Sequence, residues 1–227
     1  QMLRTLPKKT LKKVFPEYQS VAGKWVGTSG RARVLLYNKE LVAKGDIPNE
    51  VTELTDPKWK GKVGLAPTNA SFQSFVTGMR EIVGEDETKA WLEDMIANDA
   101  QIYDNNVAIR DAVDSGQIEV GLANHYYWYE KAAEVDEAQL KVANHFMAAG
   151  DPGSLVNVAG VGTLTTSDSA DAQKFVDFLL GVPAQKYFTN ATYEYPLVKG
   201  VAVAEGLPPL ATIDGPDIDL GQLADLQ

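Results

Sequence analysis

The stretch Lys62-Val63-Gly64-Leu65-Ala66-Pro67-Thr68-Asn69-Ala70-Ser71-Phe72 decides the architecture. Its first five residues read as a short buried strand, and Pro67 stops it. Thr68, Asn69 and Ser71 are helix-capping types, and Phe72 opens a helix to about Val83. The same unit recurs twice. Ala100-Gln101-Ile102-Tyr103 leads through Asp104-Asn105-Asn106 to a helix ending near Val113. Residues 118–123 lead through Asn124-His125-Tyr126-Tyr127 to a helix through Ala133. A further helix, near 87–98, carries Ala90, Trp91, Met95 and Ile96 at helical spacing. Strands alternating with helices predict a mostly parallel α/β sheet covered on both faces.

Outside this block the pattern changes. Lys24-Trp25-Val26-Gly27 and residues 32–38 read as two strands flanking a turn at 27–30. Asp151-Pro152-Gly153 precedes a long apolar strand over 155–162. Ser167 or Ser169 caps a helix through Leu180 with an apolar stripe of Phe175, Phe178 and Leu179, and Pro183 begins another ending near Phe188. The Pro- and Gly-rich tail, 207–227, reads as chain laid over a surface. Two long strands bracketing the three-unit block suggest a lobe entered once and left once, the connectivity of a two-lobed clamp.

Composition narrows the chemistry. The 227 residues contain no cysteine, which excludes disulfides, thiolate metal sites and thiol nucleophiles. No apolar run approaches the roughly 20 residues that span a bilayer. The net charge of −10 argues against a general nucleic-acid binder, but it is unevenly spread. Residues 1–33 hold eight bases and one acid, leaving 13 bases and 30 acids for the rest. A basic start at Gln1, without initiator Met or signal peptide, reads as an interior segment of a longer chain.

In an open α/β sheet, ligands bind beyond the carboxyl ends of the strands. All three strand-to-helix turns are polar there: Thr68, Asn69 and Ser71; Asn105 and Asn106; Asn124, His125, Tyr126 and Tyr127. Helix N-termini favour an anion at such an edge, although each turn alone is only a cap. The run Tyr126-Tyr127-Trp128-Tyr129 is open to two readings, aromatic packing or a pair of phenolate ligands. A free tyrosine titrates near 10, but a trivalent cation displaces its proton, and hard oxygen suits a hard cation. Arg31 and Arg33 alternate on one strand face, either as a solvated edge or in reach of an anion. His125 and His145 lack metal spacing, Asp104 carries no mark of a tuned acid or base, and no nucleophile elbow, P-loop, HExxH or GxGxxG occurs.

Several segments together resemble the periplasmic ferric-iron-binding proteins that serve ABC importers. They are residues 25–33 (WVGTSGRAR), 54–61 (LTDPKWKG), 66–72 (APTNASF), 124–129 (NHYYWY), 150–153 (GDPG) and 193–197 (YEYPL). The resemblance covers nearly the whole chain. It implies a type II periplasmic-binding-protein fold, with two lobes of mixed, mostly parallel sheet joined by hinge strands. In that family the tyrosine pair, here Tyr126 and Tyr127, supplies two phenolates to Fe3+. A synergistic anion, phosphate or carbonate, completes the coordination, and its cradle falls on Asn69, Ala70, Ser71, Asn106 and Asn124. Arg31 and Arg33 are further contacts to the anion or its holders. Some relatives carry a third ligand tyrosine at the first strand-to-helix turn; Phe72 stands in that region, which implies the two-tyrosine type.

Family members begin with a strand-helix-strand segment that has no counterpart here, so the first lobe is expected to be incomplete and the remaining side-chain ligands missing. The expected division is 1–32 as a remnant of the first lobe with a hinge strand and 33–156 as the second lobe. Residues 157–207 return to the first lobe, and 208–227 pack back on the second. The implied function is binding without catalysis: an extracytoplasmic monomer whose lobes close on Fe3+ and deliver it to a permease. Its rivals are a same-fold protein for a phosphonate, polyamine or sugar phosphate, and an α/β enzyme on a phosphorylated substrate using Asp104 or His125.

Overall fold

The computed structural model describes residues 2–224, so Gln1 and the last three residues of the 208–227 segment lie outside the described residues. The chain divides into two compact units. One comprises 2–31, 157–212 and 219–224; the other comprises 32–156 and 213–218.

The second unit is built on the strand–helix repeats. Strand β1 (Val26–Asn38) runs through both units, and its latter half is antiparallel to β4 (Val120–Asn124) and β5 (Val142–His145). Beyond β4 lie β2 (Val63–Leu65) and β3 (Gln101–Ile102), giving the order β3-β2-β4-β1-β5. The sheet is mixed: β2 is parallel to β3 and to β4, and these pairs belong to the strand–helix repeats. Period-two alternation places side chains on opposite faces. Leu35, Val63, Leu65, Val120 and Leu122 pack with Phe72, Phe75 and Met79 of α2 (Ala70–Val83) and with Trp91 and Met95 of α3 (Glu85–Ala97). Val34, Leu36 and Ala123 pack with Ile109, Ala112 and Val113 of α4 (Asn106–Ser115), followed in the chain by α5 (Tyr126–Glu134). The closeness of α4 depends on two strand glycines in register, Gly64 and Gly121. A Cβ on Gly64 would lie 2.5 Å from Ile118 Cδ1, and one on Gly121 would overlap Ile109 Cγ2.

In the first unit β6 (Val156–Val161) and β7 (Tyr195–Pro196) pair with β1, with Ser29 opposite Pro196 and Gly30 opposite Tyr195. Helices α1 (Lys8–Leu11), α6 (Ala170–Leu179) and α7 (Val182–Thr192) belong to this unit, and its core joins Leu6, Val14, Val26, Val176, Leu180 and Leu197. The fully buried Gln185 crosslinks it. Its Nε2 donates to Thr28 O (2.7 Å) and Leu179 O (2.9 Å), and its Oε1 accepts from Leu197 N (2.9 Å) and Val198 N (3.2 Å). Every polar group of the amide is matched, as burial requires.

The turn expected at 27–30 does not form, because β1 is continuous across it. Gly27 serves close packing instead, since a Cβ there would sit 2.6 Å from Leu197 Cδ1 and 3.0 Å from Tyr18 O. Ser169, the second of the two proposed caps, holds α6, accepting from Asp171 N. The tail is divided: 213–218 cluster with the second unit, and 208–212 and 219–224 with the first.

Asp151 caps the short 3-10 turn Pro152–Ser154 before β6, accepting from Gly153 N at 2.7 Å and Val51 N at 3.2 Å. Burial pushes its carboxyl up to about 6, against the pull of those two donors, and Glu50 and Glu53 add to the rise. The native state therefore holds this proton more tightly than the unfolded chain does. Stability from Asp151 is fully present below the ordinary carboxylate range and is lost as pH rises through about 6. The melting temperature of Asp151→Asn minus that of the unsubstituted protein is expected to climb between about pH 4 and 7. A difference that stays flat with pH would refute this.

Candidate functional site

The first turn of α2 is the organising element. Asn69 is its N-cap, and its Oδ1 accepts from both Ser71 N (2.9 Å) and Ser71 Oγ (2.7 Å). Ser71 Oγ in turn accepts from Asn106 Nδ2 (3.1 Å), at the start of α4, and from Arg33 Nη1 (3.2 Å), on β1. One hydroxyl thus ties three elements into a net and uses its full hydrogen-bonding capacity. Ala70 occupies the first helical position, where the backbone N–H has no partner within the helix.

Arg33 is the electrostatic centre of this net. It is only 3% exposed, with its guanidinium 5.7 Å from the Phe72 ring centre and 5.1 Å from that of Phe75. Apart from the bond to Ser71, its Nε and Nη2 have no hydrogen-bond partner, and neither does the buried Asn106 Oδ1. Burial pushes the guanidinium down to about 9, while the charge of the Tyr127 and Tyr126 oxygens pulls it up again. The cation persists at neutral pH, and a buried cation with an open donor edge is matched to an oxyanion. Nε and Nη2 form the side-on fork of the guanidinium, the geometry that meets two oxygens at once.

The other expected residues gather around it. Asn124, buried at the end of β4, is the register partner of Arg33. Tyr126 and Tyr127 follow at the first two positions of α5, half-buried, with ring centres 4.3 Å apart and planes inclined by 34°. The turn is fixed from beneath by His125, which is wholly buried: its Nδ1 accepts from Ala32 N (3.1 Å), its own N donates to Ala32 O (3.0 Å), and its carbonyl accepts from Asn144 Nδ2 (2.9 Å). His125 is therefore a packing residue with Nδ1 engaged. Asp104 is exposed. Arg31 belongs to the first unit, where its Nε donates to Glu194 Oε1 at 2.9 Å.

Two features escaped the sequence reading. The rings of Phe72 and Phe75 form the apolar shelf under Arg33, a contact between residues about forty positions apart. Arg110 of α4 donates from Nη1 to Tyr127 O at 3.2 Å. Its signal was its place one turn after Asn106 on the same helix face. Among the described residues, no cluster of three or more His, Asp or Glu is placed to hold a metal ion. Tyr126 and Tyr127 bring ionisable phenolic oxygens to this edge.

An α/β unit with a buried cation, capping amides and paired phenols at one sheet edge presents donors and acceptors suited to an anion and a hard cation. A sequence model of bacterial extracellular solute-binding proteins matches residues 5–219. The chain belongs to that family. It is 33% identical over 216 residues to the Fe(3+)-binding periplasmic protein of Serratia marcescens, covering 94% of this chain and 64% of that one. Among solved structures, iron-bound HitA from Pseudomonas aeruginosa is 35% identical with a TM-score of 0.90, over 98% of this chain and 72% of that one. A Trichodesmium protein in complex with iron and citrate is 28% identical with a TM-score of 0.85, over 99% and 73%. The fold is the type II periplasmic-binding-protein fold. The chain spans just under two-thirds of the length of the Serratia relative.

Proposed function

We propose that this chain binds ferric iron together with a synergistic anion, outside the cytoplasm, and passes it as a monomer to the permease of an ABC importer. Tyr126 and Tyr127 supply two phenolates to Fe3+. The anion sits against Arg33, Asn69, Ala70, Asn106 and Asn124, and Ser71 holds the first four of these in place through its hydrogen bonds and its neighbour in the turn. The observation that carries this reading is the buried Arg33 fork beside a tyrosine pair. The cation holds the anion that neutralises the ferric charge. The names of the relatives, iron-binding in each case compared above, support it. Residues 33–156 are read as the ion-binding lobe, with 1–32 and 157–207 belonging to the other.

The charge of Arg33 opposes folding and serves binding, so its removal separates the two. Arg33→Met keeps the bulk over Phe72 and Phe75 but relieves a desolvated charge. The iron-free protein is expected to melt a few degrees higher, at about 2–4 °C per kcal/mol for a chain of this size. Ferric affinity in phosphate or bicarbonate should fall by about a hundredfold, equivalent to ~2.7 kcal/mol. Ferric binding unaffected by the substitution would remove Arg33 from the site. Titration in phosphate, in bicarbonate and in a buffer lacking both identifies the anion. A protein stabilised by a phosphate ester yet colourless with ferric salt would favour the solute-binding alternative.

A further inference from the structure

Helix α5 begins without the device that normally fixes a helix start. Its N-cap residue, His125, makes no side-chain capping bond, because its ring is turned toward Ala32. Yet the first two helical positions are Tyr126 and Tyr127. What grips this turn from the side is α4. Arg110, 7% exposed, donates from Nη1 to the Tyr127 carbonyl. Its Nε (3.0 Å) and Nη2 (2.9 Å) both reach Asp111 Oδ1, and Lys131 of α5 lies 3.7 Å from the same oxygen. Lys131 is one turn beyond Tyr127, as Arg110 is one turn beyond Asn106. One turn of α4, Arg110 and Asp111, thus spans two successive turns of α5 at Tyr127 and Lys131. The Asn106 end of α4 meets the anion cradle at Ser71, and the Arg110 turn meets the Tyr127 carbonyl.

We propose that Arg110 is a positioning residue: by holding the Tyr127 carbonyl it sets the pose of the tyrosine pair and ties that pose, through α4, to the anion cradle. The inference rests on the ferric-binding reading above. A planar guanidinium is suited to the task, since it meets Asp111 along one edge and has Nη1 left for a carbonyl on the other side. Groups that orient metal ligands, without touching the metal, commonly account for about 10- to 100-fold in affinity.

The test uses the full chain and its Arg110→Met, Arg110→Lys and Asp111→Asn variants, with ferric nitrilotriacetate as probe in phosphate or bicarbonate buffer. Affinity, the position of the phenolate-to-iron absorption and the melting temperature are read in parallel. Arg110→Met should weaken ferric binding by about 10- to 100-fold and shift the absorption. Arg110→Lys should fall between it and the unsubstituted chain, since a compact ammonium on a flexible stem lacks the planar fork that meets Asp111 along one edge and the carbonyl from another nitrogen. Asp111→Asn, which leaves the carbonyl bond in place, should have the smallest effect. An Arg110→Met affinity within twofold of the unsubstituted chain overturns the inference. So does an affinity that falls only in step with melting temperature while the absorption stays in place. If Arg110→Met does not fold, Arg110→Lys decides by the same readouts. Should the unsubstituted chain show no absorption, the ferric reading fails and this inference with it; a coloured chain indifferent to Arg110 refutes the inference alone.

Discussion

Replacing Tyr126 and Tyr127 together by phenylalanine is expected to abolish the visible ferric absorption and to lower ferric affinity by at least about a thousandfold, or ~4 kcal/mol. The reason lies in the kind of donor. Fe3+ is a hard cation whose attraction is greatest to anionic oxygen, and in the proposed site the two phenolates supply that oxygen. Phenylalanine keeps the ring that lies, tilted, 4.3 Å from its neighbour and loses only the oxygen. The fold should therefore survive, with a melting temperature within a few degrees of the original. The single variants should be intermediate and differ in colour, since each leaves one phenolate. Affinity and colour retained in the double variant would show that the tyrosines are packing residues.

Gly121→Val carries the largest expected effect on folding. The added Cβ overlaps Ile109 Cγ2, with Gly64 O at 3.4 Å and Val113 Cγ2 at 3.6 Å leaving no room to turn away. Either α4 lifts from the sheet or the strand pairing between Gly64 and Gly121 opens. Overpacking of this kind costs about 3 kcal/mol or more, an unfolding midpoint lower by roughly 6–12 °C. Because Asn106 and Arg110 ride on α4, ferric binding should weaken even in the fraction that folds. A variant with the original midpoint would mean that α4 is less closely seated than its contacts with Ile109 and Val113 imply.

The parts legible in the sequence were those written in local pattern. Three strand-turn-helix units gave α2, α4 and α5 and put Asn69, Asn106 and Tyr126 at helix starts, because capping residues and apolar spacing act within one turn of chain. Gly27–Gly30 was misread as a turn, since a glycine needed for close approach to Leu197 looks the same in sequence as one needed for a bend. Strand β5 was missed because Val142-Ala143-Asn144-His145 is short and half polar, and its pairing with Leu35–Asn38 is a long-range choice. Arg33 was legible as a cation near an anion edge. Its burial over Phe72 and Phe75, and the engagement of Ser71 with both Arg33 and Asn106, needed three elements in place at once. Arg31, two residues away on the same strand, showed no sequence difference that would have sent it to Glu194.

The most direct measurement is a ferric titration of this chain, from a weak chelate, in phosphate or bicarbonate, followed by visible absorption. The expected result is a phenolate-to-iron band that grows to saturation at one ferric ion per chain, needs the anion, and is missing from the Tyr126→Phe, Tyr127→Phe protein. A chain that stays colourless under these conditions, or one whose colour survives the double substitution, would contradict the assignment of this edge as a ferric site.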